Sequence, residues 1–218
     1  MTQIINPNNS LNYTSNDNCI YILGDFERKS MGDLIGNINT MIRQLPIEPM
    51  YKAQEQIVYP YDEFAVNNPI IDIFIDSNGG DTNMLNDISA LLNIAKMHGA
   101  IIRTTVLSRA YSCGSLLAIQ GTPGFRIMSQ NAQHMIHFGS FGVHADSEKM
   151  AKHVLRNTLR KKEMTHDKYK TYTNMSSKDI KRLTTSEGEF WDAQKCLNNG
   201  LCDWIIGENG KLIGRGQR

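Results

Sequence analysis

At 218 residues, with 40% hydrophobic and 21% charged side chains, the chain has the composition of an ordinary soluble globular protein and is long enough to bury a sizeable core. Its formal net charge of +1 argues against broad electrostatic capture of nucleic acid or of an anionic membrane surface. No apolar run reaches the ~20 residues a membrane helix requires, the first residues lack a basic segment followed by an apolar core, and the four cysteines (Cys19, Cys113, Cys196, Cys202) have no metal-ligand spacing, so the expectation is a cytoplasmic protein with reduced thiols.

Residues 1–18, rich in asparagine and serine, read as a flexible N-terminal segment. Cys19–Leu23 is a predicted strand. Ser30 to Leu45 carries Leu34, Ile38, Met41, Ile42 and Leu45 at helical spacing, with Ser30 as the expected N-cap. Residues 46–69, punctuated by Pro46, Pro49, Pro60 and Pro69, form a long connection. Ile70–Asp76 is the clearest strand, apolar apart from Asp72, and is expected to be covered on both faces of a parallel sheet. A helix over Asp81–His98 ends at Gly99, and a strand over Ile101–Leu107 leads to a short apolar helix over Cys113–Gln120.

Phe125–Met128 and Met135–His137 are short predicted strands. Ser147 to about Tyr172 is a long polar helix with Met150, Val154 and Leu155 on one side. A short helix over Ser176–Leu183 opens with a Ser176…Asp179 box. Another spans Asp192–Leu197, and Leu201–Ile206 is the last strand. Strands alternating with helices through residues 19–137 predict βαβ units, a mainly parallel sheet and an α/β fold.

Three segments carry chemistry-bearing residues. Ser112 lies after a strand and directly before an apolar helix, where unpaired backbone N–H groups gather positive potential. Serine is also a common helix cap, and the absence of a glycine two residues before Ser112 gives no α/β-hydrolase elbow motif. His137 ends the apolar run Met135-Ile136, as a base or as a satisfied structural histidine; His134 and His153 sit in more polar runs and read as less buried. Gly79-Gly80, after the strand Ile73-Phe74-Ile75-Asp76, permits close backbone approach to a ligand, and the N–H groups of Gly80 and Cys113 together offer an oxyanion hole. Cys113 itself, beside Leu116 and Leu117, reads as a buried, inert thiol.

In this order, Ile75-Asp76-Ser77-Asn78-Gly79-Gly80, Ala110-Tyr111-Ser112-Cys113-Gly114, Met135-Ile136-His137, the helix from Ser147, and Asp192-Ala193 with Gly200-Leu201-Cys202-Asp203 resemble the Clp protease proteolytic subunit family. The resemblance covers residues 19–207, with residues 46–69 as an insertion and 208–218 as a C-terminal tail. It implies the ββα spiral of the ClpP/crotonase type, with a protruding handle helix over about 147–174. It places the family's nucleophile on Ser112, its base on His137 and its oxyanion donors on Gly80 and Cys113. The family's proline before the paired glycines is Asn78 here, and the proline that follows its histidine segment is Gly139. The family's third triad member, an aspartate, falls on Gly188, flanked by Glu187 and Glu189, of which Glu189 is the first candidate for a displaced acid.

The resemblance further implies two stacked heptameric rings enclosing a chamber, unfolded polypeptides as substrate, and an ATP-driven AAA+ unfoldase as partner. ATP would bind that partner, since this chain has no glycine-rich phosphate loop ending in lysine and serine or threonine, and no cofactor is expected. The Gly188 departure motivates an alternative, a non-catalytic ring subunit that assembles with or modulates another Clp protease. An acyl-CoA enzyme of the crotonase type shares the fold, but needs no serine nucleophile.

Overall fold

A computed structural model describes residues 11–14, 18–45, 68–138, 146–185 and 188–216. Its elements run β1 (Leu11–Thr14), β2 (Cys19–Leu23), α1 (Arg28–Gln44), β3 (Ile70–Ser77), α2 (Thr82–Met97), β4 (Ile101–Tyr111), α3 (Cys113–Ala118), β5 (Arg126–Ser129), β6 (Gln133–Ile136), α4 (Glu148–Tyr172), α5 (Ser177–Thr185), β7 (Glu189–Asp192), α6 (Ala193–Asn198), β8 (Trp204–Ile206) and β9 (Leu212–Gly214). The predicted α/β fold is present: β2, β3, β4, β5 and β8 pair in parallel in that order, with antiparallel β1 and β9 at the two ends. β1 lies within the segment expected to be a flexible N-terminus, and β9 within the expected C-terminal tail. The expected insertion over 46–69 lies almost wholly outside the described residues.

Two expectations change. Burial alternates along β3, with Ile71, Ile73, Ile75 and Ser77 inward and Asp72, Phe74 and Asp76 half-exposed, so the strand is not covered on both faces of this chain. The outer face is filled instead by cross-strand pairs: Arg103 binds both carboxylate oxygens of Asp72 at 2.5 and 2.7 Å, Arg109 binds Asp76 at 2.7 Å, and the Tyr21 and Phe74 rings stack at 5.2 Å. The start of α1 also differs. Glu27 is the cap position, and Ser30 sits inside the first turn with its hydroxyl donating back to the Glu27 carbonyl.

One irregularity positions the site. Ile75 pairs with Val106, but Ser77 pairs with Ala110, so β4 carries two extra residues between Val106 and Ala110 and extends to Tyr111, past its predicted end at Leu107. Such a bulge bends the strand and re-aims the residues beyond it. Before it, Thr104–Val106 pair with β5; after it, Arg109–Tyr111 pair with β6, which pairs in turn with β7. The core runs continuously beneath, from Ile20 and Ile22 of β2 through Leu34 and Ile38 of α1 and Leu85 and Ile88 of α2 to Leu117, Ile136 and Trp191. Of the residues of α4, Tyr169 near its C-terminal end is the buried one.

Candidate active site

Ser112 joins the end of β4 to the start of α3 and is strained. Its φ of 52° and ψ of −114° place a non-glycine residue in left-handed territory, a conformation that costs about 1–3 kcal/mol and persists when its surroundings enforce it. They do so here. The Ser112 N–H donates to the Met135 carbonyl at 2.9 Å, and its own carbonyl accepts from the Leu116 N–H at 3.1 Å. Its side chain makes no capping hydrogen bond to α3, so the helix-cap role open to it from the sequence is not used. A strained serine on a sharp strand-to-helix turn is the geometry of a nucleophile elbow. The chain reaches it with Ala110 where that motif has its first glycine, and with Gly114, against Ser77, where it has its second.

Gly79 makes this turn possible. A Cβ on Gly79 would sit 2.6 Å from Ser112 Cβ, 2.7 Å from the Tyr111 carbonyl and 3.0 Å from the Cys113 nitrogen. The sequence reading took the paired glycines as a backbone approach to a ligand; in the fold Gly79 also lets the chain pass close to Ser112. The neighbouring Gly80 forms a parallel bridge with Phe26. In that bridge the Phe26 N–H donates to the Gly79 carbonyl at 2.7 Å, and the Asp81 N–H to the Phe26 carbonyl at 2.8 Å. The N–H groups of Gly80 and Cys113 have no acceptor among the described residues. The Cys113 thiol donates to the Gly80 carbonyl at 3.1 Å, and burial raises it to about 11. It stays a neutral thiol, as expected.

His137 follows β6 directly. The register Tyr111↔Met135, continued by the bond from Ser112 N–H to Met135, carries Ser112 and His137 to the same end of neighbouring strands. Burial lowers the basicity of the His137 ring, so it is neutral across a wider pH range than a free imidazole.

Across from His137, where the β6–β7 ladder pairs Ile136 with Glu189, the next residue is Gly188. Its φ is 104°, and a Cβ there would meet His137 Cβ at 2.9 Å. Glu189 is not brought to His137. Its carboxylate accepts from Trp191 Nε1 at 3.0 Å, from Arg182, and from Lys195 Nζ at 3.4 Å; the Trp191 bond first, and then Arg182, hold it well below the usual carboxylate range, at about 2. Glu187 lies outside the described residues.

The sequence missed one constellation. His134, expected to be among the less buried histidines, is fully buried, as are Ser115 and Tyr169, and the three share hydrogen bonds. Strand alternation held the signal, because His134 lies two residues before Ile136 on the inward face of β6. No helix of the described residues is long and apolar enough to cross a membrane, and none of their His, Cys, Asp and Glu side chains form a group of three or more able to hold a metal ion.

Residues 52–209 match the model of the Clp protease family. Three curated relatives carry the name ATP-dependent Clp protease proteolytic subunit. The one from Streptococcus uberis is 29% identical over 153 residues, covering 67% of this chain and 72% of the relative. The one from Leuconostoc citreum is 28% identical over 144 residues, covering 65% and 69%. The one from Streptococcus mutans is 30% identical over 152 residues, covering 67% and 72%. The chain belongs to the Clp protease family and is a peptidase of the proteolytic-subunit type.

Proposed function

We propose that this member of the Clp protease family is a serine endopeptidase that cleaves unfolded polypeptides. Ser112 is its nucleophile, His137 its general base, and the N–H groups of Gly80 and Cys113 its oxyanion donors. The observation that supports the reading most is the Ser112 backbone. A residue held at φ 52° between β4 and α3, with its side chain not used as a cap, carries strain that a structural serine has no reason to keep.

In this reading Ser112 Oγ attacks the scissile carbonyl while His137 takes its proton. The oxyanion forms against the two amides. Collapse expels the amine, which receives the proton from His137, and water then hydrolyses the acyl-enzyme through the same pair. The acid is the weak member of the set. Glu189 would have to leave Trp191, Arg182 and Lys195 to orient His137, and Glu187 is the second candidate. Losing the orienting acid of such a triad lowers turnover by ~10⁴-fold and leaves the fold intact.

Family membership further supports assembly into two stacked heptameric rings, with an AAA+ unfoldase of the Clp type delivering substrate. The experiment is fluorophosphonate labelling together with cleavage of a short fluorogenic peptide. The wild type is expected to be labelled at Ser112 and to cleave, and Ser112→Ala to do neither. Comparison of Glu187→Gln with Glu189→Gln assigns the acid. Gly188 and the engaged carboxylate of Glu189 favour a second reading, a ring subunit without activity of its own; equal peptide turnover by wild type and Ser112→Ala would establish it.

A further inference from the structure

The hydroxyl of Ser115 is a junction between three elements. Ser115 lies on α3, one turn beyond Ser112. Its Oγ is 2.9 Å from His134 Nδ1 on β6, three residues before His137, and 3.0 Å from the Tyr169 hydroxyl on α4. All three side chains are at most 1% exposed. We propose that this cluster positions the nucleophile against the base: Ser115 and His134 brace α3 against β6 just beneath Ser112 and His137, and Tyr169 ties the brace to α4. The inference rests on the serine-peptidase reading for its consequence in catalysis, but not for its geometry.

Three observations carry it. First, the cluster spans the same two elements that present Ser112 and His137, so α3 cannot slide along β6 without breaking the Ser115–His134 contact. Second, the end of α4 is held from the other side as well. Lys168 donates to Ser89 of α2 and to Gln120 just after α3, each at 3.3 Å, so Tyr169 reaches Ser115 from a fixed base. Third, the cluster is uncharged. Burial drives the His134 ring down to about 3 and pushes the Tyr169 phenol up. His134 Nε2 has no partner among the described residues, so a protonated ring would be buried with an unshared N–H. A neutral, buried polar contact that apolar side chains of similar shape could replace fixes one arrangement among several possible packings. Here the arrangement fixed is the spacing of α3 from β6.

The test uses the full-length chain. Wild type, Ser115→Ala and Tyr169→Phe are compared for the rate of fluorophosphonate labelling of Ser112, for kcat and KM on a short peptide, and for the His137 ring signals in spectra of ¹⁵N-histidine-labelled protein. Tyr169→Phe removes one hydroxyl and keeps the packing, and so serves where Ser115→Ala fails to fold. The expected result is labelling slowed by about tenfold or more, a lower kcat at unchanged KM, and displaced His137 signals. Labelling at the wild-type rate with unmoved His137 signals, even alongside a lowered melting temperature, would overturn the positioning role and leave the cluster as packing alone. A wild type that is never labelled counts against the peptidase reading only. The His137 signals then decide the inference: displaced in either variant they support it, and unmoved in a folded variant they overturn it.

Discussion

At the scale of single residues, the site depends on where a side chain is absent as much as on where one is present. Gly79 is required because Ser112 occupies the space its Cβ would take. Gly79→Ala is expected to destabilise the fold by about 1–3 kcal/mol through backbone strain alone, with the clash adding to it. Denaturant melts report the first effect and fluorophosphonate labelling the displacement of Ser112. Gly188 is the mirror case at His137. Gly188→Asp, which puts an acid where the resemblance places the triad's third member, is expected to lower activity, because the φ of 104° and the 2.9 Å approach to His137 Cβ exclude a side chain there without movement of the strand end. Peptide turnover above the wild-type rate would show that the ladder can shift to accept it.

If His137 is the base proposed above, it sets the pH response. Burial lowers its pKa, and a general base acts in its neutral form. The acid limb of kcat/KM is therefore expected below ~6.5, with activity retained as pH falls towards that value and lost beneath it. A limb above that point would mean that a carboxylate stabilises the imidazolium, and would reveal the acid directly.

At the scale of elements, α4 is the long helix that buries least against its own chain. It is 25 residues long, begins cleanly at Ser147, whose hydroxyl accepts from the Met150 N–H at 3.2 Å, and buries Tyr169 alone. Met150, Leu155, Leu159 and Met164 stand 41–55% exposed along it. Leu155 and Leu159, one turn apart, share one face of the helix, with Met150 and Met164 on the opposite side, and such an exposed apolar pair is a candidate contact surface. The predicted double substitution Leu155→Glu with Leu159→Glu leaves the monomer's melting temperature within a few degrees. On the proposed ring assembly, it is expected to shift stacked species to smaller ones in sedimentation velocity, since introduced charges at a symmetric contact face one another. Unchanged sedimentation would place the contact elsewhere. The same helix is polar where Lys152 pairs with Glu148 at 2.5 Å, a solvated contact that adds little to stability.

Across the whole molecule, the last segments are tied back to the sheet through one arginine. Arg126 of β5, 8% exposed, donates through Nε and Nη2 to Asp203 at 2.9 and 2.6 Å, and through Nη1 to the carbonyls of Tyr172 and Gly200 at 2.5 and 2.8 Å. It thus closes the end of α4, the turn after α6 and the approach to β8 onto one strand. Arg126→Ala takes the cation from a half-buried Asp203, which keeps the backbone N–H groups of Gly124 and residue 126, and leaves two carbonyls unbonded, so it is expected to cost about 3 kcal/mol in chemical denaturation. Arg126→Lys is expected to recover part of this, because a single ammonium cannot serve a bidentate carboxylate and two carbonyls together.

What the amino-acid sequence determined by itself was the order of things along the chain. The alternation of strands and helices, the serine before an apolar helix, the histidine at a strand end, the paired glycines and the glycine between Glu187 and Glu189 are all local patterns, set by periodicity and by backbone freedom. Tertiary structure alone decided what depends on partners distant in sequence. The outward face of β3 is finished by arginines from β4, which no reading of β3 alone supplies. The carboxylate of Glu189 is drawn to Trp191, Arg182 and Lys195 because their donors converge there. His134 is buried because strand alternation, and not the polarity of its neighbours, sets the face it takes. Ser112 is strained because a bulge in β4, the Met135 carbonyl and the bare Cα of Gly79 meet at one point, and hydrogen bonds between segments far apart in the chain are formed only when the sheet is complete.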